Sequence, residues 1–141
     1  MGYCIDVYGD LTIREEKIPL AIDCLKKLMY RGLNERCGPH GFSWVSSDNV
    51  ISFLESDYDE KRKLKCVLRE FRYGFEDEND DLLFHYFLGE KWGDDEVLWE
   101  TLAPAVDNGS MIEYRGEDGH RWRFLFEDGS VKEQNAVITW E

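Results

Sequence analysis

The chain has no apolar run approaching the 18 residues that a membrane-spanning helix needs, so no helical span and no membrane partner are expected. Its first residues, Met1-Gly2-Tyr3-Cys4-Ile5-Asp6, have neither the basic region nor the apolar stretch of a secretory signal. Asp6 stands where a myristoylation site requires Ser or Thr. A cytoplasmic location is therefore expected. Positive charge is scarce, with 17 Lys and Arg against 30 Asp and Glu and a net charge of −13. That balance argues against direct binding to nucleic acid. There is no glycine-rich phosphate loop, since Gly116-Glu117-Asp118-Gly119 puts acid where a phosphate would need bare N–H groups or Lys. Internal repeats and low-complexity tracts are absent too.

Cysteine is sparse and follows no framework. Cys4, Cys24, Cys37 and Cys66 should be reduced thiols in a cytoplasmic setting. Cys24 and Cys66 fall among apolar helix neighbours and read as small core residues. Cys37 and His40 have the spacing of half a zinc site. The other half would have to come from Cys4, Cys24, Cys66, His85 or His120, which are scattered, so an ordinary loop is the preferred reading. No metal and no cofactor are expected. No local signature makes Cys37 a nucleophile. The carboxylates at 94–96, at Glu117 and Asp118, and at Glu127 and Asp128 are explained by helix capping and turns. Acid–base catalysis needs two carboxylates in contrasting environments. His85 reads as a satisfied buried or edge residue and His120 as exposed. The chain is not expected to be an enzyme.

What is present is enough apolar material for a core. At 141 residues, 43% hydrophobic and 14% aromatic, residues 1–141 read as a single packed domain. Tyr3 to Ile13 alternates like a strand interrupted at Gly9-Asp10, either one bulged strand or two short ones. Pro19 opens a helix whose stripe is Ile18, Ile22, Leu25, Leu28 and Met29, with Gly32 as a stop. Residues 31–41 read as a loop, Phe42 to Val45 as a short strand, and Val50 to Leu54 as a short helix capped by Ser47 or Asp48. A helix from about Asp59 to Tyr73 follows, with Leu64, Val67, Leu68 and Phe71 on one face. Its other faces hold Lys61, Arg62, Lys63, Lys65, Arg69 and Arg72 against Glu70, a net +5 over residues 61–72. Glu76 to Asp81 reads as an acidic loop, Leu82 to Leu88 as a buried strand, and Asp94 as the cap of a helix lined by Val97, Leu98, Leu102 and Val106.

The last third predicts three strands over Ser110 to Arg115, His120 to Phe126 and Val131 to Trp140. They are joined by turns at Asp118-Gly119 and Asp128-Gly129. Ile112, Tyr114, Trp122, Phe124 and Phe126, with Trp140 or Val137, form a dry face. Glu113, Arg115, Arg121 and Arg123, with Glu133 nearby, form a wet one. The fold class is α+β: a mostly antiparallel sheet ending in a three-stranded β-meander, with about three helices packed on one face.

Several short segments recur together: the Met-Gly-Tyr start, Phe42-Ser43-Trp44-Val45, Gly89-Glu90-Lys91, and Gly109 to Glu113 running through Gly116-Glu117-Asp118-Gly119 to Trp122-Arg123. In these the chain resembles small uncharacterised proteins of bacteriophages and related mobile elements, over most of its length. The resemblance implies a setting inside a bacterial host. It supplies no catalytic residue and no substrate.

The remaining feature is charge. Ten of the 25 residues from Glu76 to Glu100 are acidic, opposed only by Lys91, so this stretch carries −9 of the net −13. Such crowding works against the fold. The expectation is an interaction protein, an inhibitor that binds a basic host protein of defence or nucleic-acid handling through an acidic, DNA-mimicking surface. Its candidate partner-binding residues are Glu76, Asp77, Glu78, Asp80, Asp81, Trp92, Asp94, Asp95, Glu96 and Trp99, with the two tryptophans as exposed anchors. The alternative is a small-molecule or nucleotide-binding protein with an aromatic pocket between sheet and helices, read by Arg115, Arg121 or Arg123. The basic helix over 61–72 divides the first reading: if it neutralises the acidic loop, the docking surface weakens.

Overall fold

The computed structural model describes residues 4–30, 45, 47–89, 95–137 and 140. It is an α+β arrangement of two antiparallel sheets and, among the described residues, four helices. The strands are β1 (Ile5–Asp10), β2 (Thr12–Ile13), β3 (Tyr73–Glu78), β4 (Asp81–Phe87), β5 (Met111–Gly116), β6 (Arg121–Glu127) and β7 (Ser130–Asn135). The helices are α1 (Ile18–Tyr30), α2 (Ser47–Leu54), α3 (Glu60–Glu70) and α4 (Asp95–Leu102). One sheet has the order β1-β5-β6-β7 and the other β2-β4-β3.

The first strand region serves both sheets. β1 pairs with β5 up to Asp10, and β2 pairs with β4 from Thr12. Leu11 sits at the corner, buried, and its carbonyl accepts from the Phe84 N–H at 2.9 Å. Of the two readings of this segment, two short strands is correct, and the switch of sheet explains why the alternation breaks there.

α1 follows a 3-10 turn at Glu15–Lys17 and buries Ile18, Ala21, Ile22, Leu25, Leu28 and Met29, a helical stripe that packs near α2, α3 and α4. α3 starts at Asp59, whose Oδ1 accepts from the Arg62 N–H at 2.9 Å. It buries Leu64, Val67 and Leu68 and ends before Phe71, also buried. Cys24 and Cys66 are half-buried at helix margins rather than inside the core.

The meander forms as its turn residues dictate. Asp128 and Gly129 both take positive φ, 51° and 78°, as a two-residue hairpin requires, and Gly119 does the same at 88°. The last strand ends earlier than its sequence suggests. β7 stops at Asn135, and Val137 and Trp140 are 89% and 91% exposed, so neither joins the dry face. Glu133 lies opposite Phe124, and Gln134 is the residue beside Arg123. A strand has period two, so this one-residue difference decides which side chain shares the wet face.

Between the sheets and α4 lies a buried polar chain. Trp99 donates its Nε1–H to the Tyr114 Oη at 2.6 Å, and the Tyr114 and Tyr73 hydroxyls are 2.7 Å apart. The Tyr73 hydroxyl donates to the Asp95 carboxylate. All four residues are buried. Tyr73 belongs to one sheet, Tyr114 to the other, and Asp95 and Trp99 to α4, so the chain ties three elements together.

Candidate functional site

The acidic segment is a hairpin, not a loop. β3 and β4 pair from Tyr73↔Phe87 to Glu78↔Asp81, with a bulge between Gly74 and Phe75, and Asn79-Asp80 makes the turn. Asn79 and Asp80 both have positive φ, 50° and 74°. Apolar residues at the start of β3 (Tyr73, Phe75) and along β4 (Leu82, Phe84) anchor the hairpin in the core. Its outer end is left to charge.

Glu76, Asp77, Glu78 and Asp80 are exposed. Asp81 is half-buried, and its Oδ1 accepts from the Glu15 N–H at 2.9 Å. That bond brings Glu15 beside the hairpin turn, with the exposed Glu16 next to it. Sequence reasoning missed both, because they lie 66 residues or so from the turn and tertiary pairing, β2 with β4 and Glu15 with Asp81, brings them there. Arg14, also in this region, pairs with Asp107 at 3.0 Å.

α3 makes one ion pair with the hairpin among the described residues. Lys65 reaches Asp77 at 3.3 Å, an exposed pair of small energetic weight. Among the described residues Glu76, Glu78 and Asp80 make no ion pair. The basic helix lies alongside β3, and its Arg62, Lys65 and Arg69 line a depression that Glu76 borders.

The acidic run is not one surface. Asp95 is 2% exposed and belongs to the buried Tyr73 network, so it is not a partner-binding residue. Trp99 is fully buried and is not an exposed anchor. Glu96 is exposed in the first turn of α4. Because Asp95 meets Tyr73, this turn sits by the start of β3, about 16 Å of strand from Glu78 at 3.3 Å per residue. Trp92 and Asp94 lie outside the described residues, as do Cys37 and His40. Among the described residues no group of three or more His, Cys, Asp or Glu has a metal-binding arrangement. His85 and His120 are exposed, the latter stacked on Trp122 with ring centres 5.1 Å apart.

The three arginines do gather, on the solvent face of the four-stranded sheet. Arg115 and Arg121 both hold Glu113, at 2.8 and 2.9 Å, and Arg123 bonds Gln134 at 2.6 Å. The hydrogen bond from Arg115, with help from Arg121, holds the Glu113 carboxyl below its ordinary range against the opposing effect of burial. Arg121 and Arg123 border an open depression of about 710 Å³ with Glu113 and Gln134. This is the side of the sheet away from the aromatic core, so no aromatic pocket between sheet and helices is read by these arginines.

Asp80 carries a conformational cost. Left-handed backbone disfavours any residue with a Cβ, and glycine is the usual second residue of such a turn. Asp80→Gly is expected to raise the unfolding free energy by about 0.5–1 kcal/mol, measured by urea denaturation, while removing one charge.

Neither a scan against protein-family models nor searches of curated proteins and of solved structures found a match to this chain.

Proposed function

We propose that this protein is a non-enzymatic interaction protein that docks through the β3–β4 hairpin onto a basic partner, acting as an inhibitor of a host protein that handles nucleic acid or serves defence. The observation that supports this reading is the hairpin itself. Glu76, Glu78 and Asp80 stand exposed without ion pairs among the described residues, on a base anchored by buried aromatic and aliphatic side chains. Asp80 holds its carboxylate where glycine would be less strained. Glu15 and Glu16 add to the same end. Carboxylates spaced along a strand present negative charge as a phosphate backbone does, and complementary charge speeds encounter at low salt.

The test compares the native chain with a Glu76→Gln, Glu78→Gln, Asp80→Asn variant in capture from a bacterial lysate, followed by association kinetics with the captured protein. The expected result is an association rate at least about tenfold lower for the variant at low salt, converging with the native rate at high salt. Charged edge residues also discourage self-pairing of strands. A variant that captures the same protein at the same rate, and differs only in aggregating, overturns the docking role and assigns the charges to edge protection.

A further inference from the structure

Among the described residues β3 is an edge strand, with β4 on one side. Among the described residues, no hydrogen bond from the backbone of residues 75–78 goes to any element other than β4. The register fixes which groups are open. A two-residue turn makes Glu78 and Asp81 a hydrogen-bonded pair, and such pairs alternate along an antiparallel ladder. Asp77↔Leu82 is then a non-bonded pair, Glu76↔Leu83 a bonded one, and Phe75↔Phe84 non-bonded. Phe84 bears this out, since its N–H turns away from β3 to the Leu11 carbonyl. The N–H and C=O groups of Phe75 and Asp77 therefore point away from β4; Phe75 is buried, so the exposed Asp77 is the residue that offers them to an added strand.

A groove runs beside this edge. Two open depressions, of about 790 and 320 Å³, share Arg62 and Lys65. Along one wall are Arg62, Lys65, Cys66 and Arg69 of α3, spaced to lie on one side of the helix. Along the other are Gly74, Phe75 and Glu76, with Tyr86 of β4 lying over Gly74 and Asp77 further on. An extended segment laid there would meet open backbone groups on one side and a helix on the other.

Charge selects the occupant. Glu76 and Glu78 are two residues apart and project from the same face of β3. Residues opposite them in an added strand are also two apart and share that face. The intervening residues turn toward the side of Asp77 and the α3 cations. We propose that β3 accepts one further strand from the partner, an extended segment with Lys or Arg at alternate positions and neutral or acidic residues between them. This rests on the acidic docking reading and names what is docked: backbone pairing supplies affinity and the alternating charges supply register.

The probes are a synthetic peptide alternating Lys and Thr, and an isomer with all its Lys in one block followed by all its Thr. Binding is read by fluorescence anisotropy at low salt, and amide exchange at Asp77 by NMR. The alternating peptide is expected to bind at least about fivefold more tightly than the block isomer, and to slow exchange at that amide. Asp77→Pro deletes an outward N–H and leaves the bonds to β4, so it should abolish that preference. Asp77→Asn loses the charge but keeps the N–H, and should retain it. Should the proline variant fail to fold, protection of the Asp77 amide in the native chain decides. Equal, salt-sensitive binding of both peptides without that protection overturns strand addition and leaves acidic docking standing. Binding of neither peptide at low salt overturns the docking reading itself.

Discussion

Trp99→Ala is expected to lower the unfolding free energy by about 3–5 kcal/mol, a large part of the 5–15 kcal/mol typical of a domain. Trp99 is the largest fully buried side chain among the described residues. Its ring meets Tyr73 and Phe126 edge-on at 4.7 and 6.1 Å between centres. Truncation opens a cavity among rings from both sheets, which cannot collapse together. It also deprives the Tyr114 hydroxyl of the donor it accepts from. Trp99→Phe should cost less, since it fills much of the volume and loses only the indole N–H. Urea denaturation of the three proteins measures the difference. An exposed anchor would behave the opposite way, with stability unchanged and partner binding lost. A Trp99→Ala variant of native stability would contradict the packing described above.

The placement of Trp99 was legible in the sequence by a route other than its charged surroundings. Asp95, Leu98, Trp99 and Leu102 are the buried residues of α4, at helical spacing i, i+3, i+4 and i+7. Leu98 and Leu102 mark the inward face, and Trp99 lies between them on it. The acidic neighbours drew Trp99 and Asp95 toward the surface in the sequence reading. Asp95 also has a local explanation at a helix start, which hides its tertiary role: nothing near it in sequence announces that Tyr73, 22 residues away, will donate to it. The meander was legible because its turns are local, with Asp-Gly placing positive φ where each hairpin needs it. The acidic hairpin was not, because Asn79-Asp80 has no glycine to mark the turn, and charges on β3 obscure the strand pattern. Its base could be read from Phe75 and from Leu82 to Phe87, whereas its pairing depends on tertiary contact. The sheet switch at Leu11 shows the same division. Sequence shows that alternation breaks, and only the partners β5 and β4 show that the break is a change of sheet.

Tyr73→Phe is expected to cost about 1–3 kcal/mol at neutral pH and to change how stability responds to alkali. The hydrogen bonds in the network run in one direction. An indole N–H only donates, so Trp99 gives its proton to Tyr114. The Tyr73 proton goes to the Asp95 carboxylate, so the Tyr114 proton goes to the Tyr73 oxygen. Removing the Tyr73 hydroxyl takes one donor from Asp95 and one acceptor from Tyr114, both buried. Burial, above all, pushes both phenols well above their ordinary range, with the nearby Asp95 charge acting in the same sense. Both folded values are therefore raised above the unfolded one, near 10. Their contribution is fully present below about pH 10 and is lost as pH rises toward the folded values, because the unfolded chain releases protons that the folded chain keeps. Each such phenol steepens the decline by about 1.4 kcal/mol per pH unit. Tyr73→Phe, being one phenol short, should decline less steeply than the native chain by about that amount. Urea denaturation between pH 9 and 11.5, about the ordinary tyrosine value, with tyrosinate absorbance followed alongside, checks both parts. Two tyrosines should ionise only as the native chain unfolds, and one in the variant; parallel slopes for the two proteins would show that Tyr73 titrates freely in the fold.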